Sequence, residues 1–181
     1  MNSTPHRPAK PLAVSLAGLQ AGMIGIGWML AWLGLSAMGQ RRTFWTAENL
    51  MASVFHGDAA IRRGFGFSTL SGIALYLLIY SLLGAGFALT ARARFTGLGT
   101  VLLGVLLSVG WYCLWFRALG QTAMPLVWLL HAESSTAFGH VMFGALIARF
   151  PAYLPKAEPP AAEAPAAAQA GDVVPPRPDV S

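Results

Sequence analysis

The chain has 181 residues, 55% of them apolar and only 10% charged, with a mean hydropathy of +0.56. A typical soluble domain carries about 25% charge, so this composition excludes a water-soluble fold that hides its apolar surface. The net charge of +5 does not mark a nucleic-acid binder, because the arginines come in pairs at the ends of apolar runs and not along one face.

Residues 1–11 form a polar N-terminal tail with three prolines. Residues 12–39, 64–91 and 95–116 then contain no ionised side chain at all. Each run exceeds the roughly 20 apolar residues a helix needs to cross a hydrocarbon core. The first is about twice as long as a secretory signal core, so it reads as a retained span and not a cleaved leader. The expected span one, about 12–38, carries Gly18 with Gly22, and Ala17 with Ala21 and Gly25. Small residues at four-residue spacing let a second helix, from this chain or a second copy, approach closely in lipid.

The first connection opens with Arg41, Arg42, Phe44 and Trp45. A helix over about 46–56 is predicted, with Thr46 as its cap, Glu48 favoured in its first turn and Gly57 as its stop. Ala47, Leu50, Met51, Val54 and Phe55 would share an apolar face, with Asn49, Ser53 and His56 opposite, as suits a helix lying on the bilayer surface. Span two, about 67–90, places Tyr76 and Tyr80 one turn apart. Span three, about 97–116, carries Thr100, Gly104 and Ser108 in a series that can face span two or span one. It ends in Trp111, Tyr112, Trp115 and Phe116, which resemble an interfacial aromatic belt. The lone Cys113 excludes an intrachain disulfide and reads as a buried, inert residue.

Pro125 interrupts the next segment, and His131, Glu133, Ser134 and Ser135 make the end of that segment polar. A single helix over 125–150 would sink Glu133 into the bilayer, so the preferred reading starts a short fourth span near Ser134 and ends it near Phe150. The predicted transmembrane domain is thus 12–153, an all-α, antiparallel four-helix bundle with an interfacial helix in the first connection. Residues 154–181 are an alanine- and proline-rich tail without hydrophobic periodicity, expected to be disordered. With both termini in the cytoplasm, Arg7, Lys10, Arg92, Arg94, Arg149 and Lys156 lie inside, against Arg41, Arg42, Arg62, Arg63 and Arg117 outside. That margin of one favours this orientation only slightly.

Four residues are candidates for a metal: His56 and Asp58 in the first connection, Glu133 and His140 in the fourth segment. The two segments fall on the same side of the membrane, so a zinc-type site is allowed. No pair has H-E-x-x-H spacing, and a capping aspartate, an interfacial histidine and a glutamate at a helix end explain the same residues. His140 lies well inside the last span. Intramembrane ionisable groups often mark a pathway, but a neutral imidazole bonded to Tyr76, Tyr80 or Ser108 would simply join helices. A haem lacks a second axial histidine, since His131 falls on the opposite face of any common helix. Ser134 and Ser135 beside His131 form no nucleophile elbow.

In size, span number and glycine-rich helices the chain resembles small four-span bacterial inner-membrane proteins, a likeness that carries no site residue over. The expectation is an integral inner-membrane protein that is a non-enzymatic accessory or structural subunit, with no catalytic residue and no cofactor. Its partners would be the lipid bilayer and a second copy or another membrane protein, with no nucleic acid. A small oligomeric carrier or channel using the His140 face is the alternative, and an intramembrane metal-dependent enzyme comes third.

Overall fold

A computed structural model describes residues 10–61, 64–91 and 97–155. The expected N-terminal tail, apart from Lys10 and Pro11, and the tail from residue 156 onward lie outside the described residues, as do Arg62, Arg63, Arg92 and Arg94. Among the described residues there is no strand. The helices are α1 (Pro11–Gly39), α2 (Thr46–His56), α3 (Phe67–Ala91), α4 (Leu98–Tyr112), α5 (Gly120–Ala123), α6 (Pro125–Leu130) and α7 (Glu133–Ile147). A π-helical stretch, Cys113–Leu119, joins α4 to α5 in one continuous run. Among the described residues, three segments are long and apolar enough to cross a membrane: Pro11–Gly39, Phe67–Ala91 and Leu98–Ala123. The third therefore runs past the expected end near Phe116, because nothing between Arg117 and Ala123 breaks a helix. Pro125, which cannot donate to a preceding turn, starts α6 instead.

Backbone contact between helices rests on the small residues. A Cβ at Gly22 would come within 2.6 Å of the Tyr80 carbonyl oxygen, and one at Gly84 within 2.5 Å of the Gly18 carbonyl oxygen. α1 and α3 thus touch along the predicted glycine series. That face of α1 is filled within the chain, since Gly25 lies against the Phe143 ring of α7. Gly104 touches span two only at the Phe87 ring, 3.5 Å from where its Cβ would be. It meets Gly144 of α7, where each glycine would drive a Cβ into the other's carbonyl oxygen. Gly72 is the tightest position, with the Glu48 carbonyl of α2 where its side chain would be. Leu16, Trp28 and Leu35 on α1, Leu78 and Leu82 on α3, and Leu102 and Leu106 on α4 are exposed. In lipid such residues are solvated by acyl chains and need no protein partner.

α2 departs from its predicted pattern. Glu48 and Asn49 are buried with Leu50, Met51 and Ala52, while Val54 and Phe55 are exposed. The cause is a polar network. Asn49 Nδ2 donates to the Gly64 carbonyl, Thr69 Oγ1 donates to Asn49 Oδ1, and the Gly66 N–H donates to Thr69 Oγ1. These bonds turn the polar side of α2 toward the start of α3. Two aromatic residues assigned to an interfacial belt are also core residues, for Tyr112 and Phe116 are 6% and 3% exposed. Cys113, expected to be buried, is exposed.

Candidate functional site

The most chemically loaded place in the fold is a cluster of rings around His140, which is fully buried. α7 carries His140 one turn after Thr136, and the ring's Nδ1 lies 2.8 Å from the Thr136 carbonyl oxygen. A carbonyl can only accept, so Nδ1 holds the proton and Nε2 is left as an acceptor. The Tyr80 hydroxyl of α3 donates to that Nε2 at 2.7 Å. Tyr112 and Phe116, from the third apolar helix, close the cluster with ring centroids 5.2 and 6.0 Å from the imidazole. Phe143 packs edge-on against Tyr80 at 4.9 Å. Both ring nitrogens are therefore occupied by protein groups, in the neutral tautomer, among aromatic neighbours.

His131 joins this cluster by a route that helical periodicity did not contain. It does not share a helix with His140, because the backbone turns extended at His131 and Ala132 between α6 and α7. Its Nδ1 caps the end of α6 on the Val127 and Trp128 carbonyls, 3.1 and 2.8 Å away. Its ring lies on Phe116 at 4.5 Å and near Tyr112 at 6.4 Å. His131 Nε2 and the Tyr112 hydroxyl are both covered and have no hydrogen-bond partner.

The four metal candidates do not converge: His56 and Asp58 lie together at the end of α2, Glu133 and His140 elsewhere. His56 Nε2 meets Ser71 Oγ at 3.2 Å on an exposed face, and Asp58 lies in the exposed turn Gly57–Ala59. Glu133 forms an exposed ion pair with Arg117, whereas His140 is in the core. Among the described residues, no three of His, Cys, Asp and Glu are grouped as a metal would require.

Glu48, favoured at its first-turn position on α2 by the helix dipole, is buried like Asn49: it is 1% exposed, and Oε2 has no hydrogen-bond partner. Burial pushes its carboxyl up to about 7, with its own backbone N–H holding it down in part. The signal carried by the sequence was Gly72, which allows the α2 backbone to lie directly on α3 and covers this residue.

Comparison with known proteins finds no matching family model, no matching curated protein and no matching solved structure.

Proposed function

We propose that the chain is a non-enzymatic integral protein of the inner membrane, an accessory or structural subunit. Its helices form an antiparallel bundle in which α7 is a short fourth span, α2 lies at the bilayer surface and both termini are cytoplasmic. The observation that supports this reading is the state of His140. Its two nitrogens are spent on Thr136 and Tyr80, so the imidazole joins α3 to α7 and has no lone pair left for a metal or a substrate. A relay would require Nδ1–H to face an acceptor that can pass the proton on, and it faces a backbone carbonyl.

The test is the full-length protein purified in detergent, with bound metals measured by mass spectrometry and thermal unfolding compared for wild type and His140→Ala. The expected result is no stoichiometric metal in either sample and a lower melting temperature for the variant. Near-stoichiometric zinc or iron, lost in His140→Ala, would overturn the proposal in favour of the metal-dependent alternative. A carrier built on the His140 face would instead protect His140→Cys poorly from membrane-impermeant thiol reagents in intact cells, once Cys113 has been replaced by Ser.

A further inference from the structure

A narrow slot opens where the ends of α1 and α6 meet the starts of α2 and α7. About 40 Å³ of it is open to the centres of water molecules, room for about three waters at the roughly 10–15 Å³ that each requires. Polar and apolar side chains share its lining. None of the described residues that line it is Asp or Glu, and Arg42 is the only Lys or Arg among them.

The polar groups of the lining fall into two kinds. Ser36 and Ser135 bond to each other, Gln40 Nε2 donates to Ser36 Oγ, and Thr46 Oγ1 donates to the Thr43 carbonyl, so these are largely satisfied. Three others keep unused donors. Arg42 spends one N–H of its five on the Leu130 carbonyl, at 2.9 Å, and among the described residues it has no carboxylate partner, since the ion pair is Arg117 with Glu133. Tyr76 of α3 and Thr136 of α7 line the slot from the core, at 4% and 5% exposure. Among the described residues neither of their hydroxyls has a hydrogen-bond partner. A buried hydroxyl left without a partner is destabilising, so an acceptor inside the slot would be favoured. His131 also borders the slot, but its unpartnered Nε2 is covered.

We infer that this slot binds a small, planar, singly charged oxyanion of about three or four non-hydrogen atoms, of the class of formate, acetate and nitrate, between the Arg42 guanidinium and the hydroxyls of Tyr76 and Thr136. The volume sets the size, since each water displaced makes room for about one heavy atom. A guanidinium with no carboxylate in the lining sets the sign of the charge. Its fork sets the shape, because two parallel N–H bonds match a pair of coplanar oxygens. Hydroxyls with a proton to donate complete the match to a ligand whose oxygens only accept. The site does not involve the His140 imidazole, so it stands whether or not the chain is an accessory subunit.

The experiment uses full-length protein in a non-ionic detergent, at constant ionic strength, with gluconate, too large for the slot, as the balancing anion. Formate, acetate and nitrate are titrated beside acetamide, the uncharged analogue of acetate, and benzoate, an oversized carboxylate. Thermal shift and isothermal titration calorimetry are the readouts. The small anions should raise the melting temperature in a saturable way with one bound copy, while acetamide and benzoate should not. Arg42→Gln should weaken acetate binding about tenfold or more, the scale of a lost charge-assisted hydrogen bond. Because Arg42 also holds α6, a second variant is needed. Tyr76→Phe removes a single hydroxyl, should leave the unliganded protein melting cooperatively, and should weaken acetate about three- to tenfold, the scale of one neutral hydrogen bond. No saturable response to any of the three anions would mean that the slot holds water alone and would overturn the assignment. An acetate response equalled by acetamide or benzoate, or left unchanged in Tyr76→Phe, would show solvent or surface effects and overturn it as well.

Discussion

The Tyr80 hydroxyl donates to His140 Nε2 at 2.7 Å, sixty positions apart in the sequence, and so ties the middle of α3 to the middle of α7. Both residues are buried, at 2% and 0% exposure. Hydrogen bonds between membrane helices average about 0.6 kcal/mol in double-mutant cycles and reach about 1.7. A cycle of Tyr80→Phe, His140→Phe and the double variant, monitored by reversible unfolding in mixed micelles, should return a coupling in that range. A coupling of zero would mean that the two rings share only packing.

Glycines at helix crossings should tolerate substitution according to what faces them. Gly84→Leu and Gly104→Val drive side chains into the Gly18 and Gly144 carbonyls, and each is expected to cost roughly 3 kcal/mol or more through forced helix separation. Gly27→Ala meets nothing within 4 Å and should stabilise the chain by up to about 1 kcal/mol, the propensity difference alone. Melting temperatures of the three variants, measured side by side, check the contrast.

Docking of α2 on α3 should weaken as pH rises. The Glu48 carboxyl titrates near 7 when docked, against 4.5 when free, so the docked state keeps its proton over the interval in which the free helix loses it. The stabilisation is complete below about pH 4.5 and is lost as pH climbs through 7, roughly 3 kcal/mol in total at most. The protection factors of the α2 amides, which correct for the intrinsic pH dependence of exchange, should fall across that window in wild type. They should be flat in Glu48→Gln, which presents a neutral isostere at every pH.

Arg41 adopts φ 59°, the left-handed conformation that ends α1. A side chain there costs about 1 kcal/mol relative to glycine. Arg41→Gly is expected to raise stability by that amount, whereas Arg41→Val should lower it. Chemical denaturation of the pair reads the difference.

Span placement was legible because lipid imposes a coarse rule: uncharged runs of sufficient length become helices, and α1 and α3 obey it. The glycine series on α1 was legible too, since Gly18 and Gly22 meet α3 as their spacing implied. Which helix a series faces was not legible, and Gly104 found Gly144 because α7 is brought beside α4 by a connection whose geometry periodicity does not encode. The interior of the cluster was half visible. His140 with Tyr80 came from depth in the span, but His131 required the break at Ala132, and Tyr112 carried the composition of an interfacial belt. Glu48 was hidden for a different reason. Helix-dipole logic describes an isolated helix end and is silent about a neighbour's glycine that lets another backbone cover it.

The wide turn at Cys113–Leu119 sets the phase of the helix beyond it. One surplus residue accommodated in a π stretch rotates the remainder of the helix by about 100° relative to an uninterrupted α-helix. Deleting one residue within this stretch would remove the surplus, so the run could revert to regular winding while the residues beyond it keep their phase. Loss of a single codon should therefore be tolerated better here than within α1 or α3, where it would rotate everything downstream.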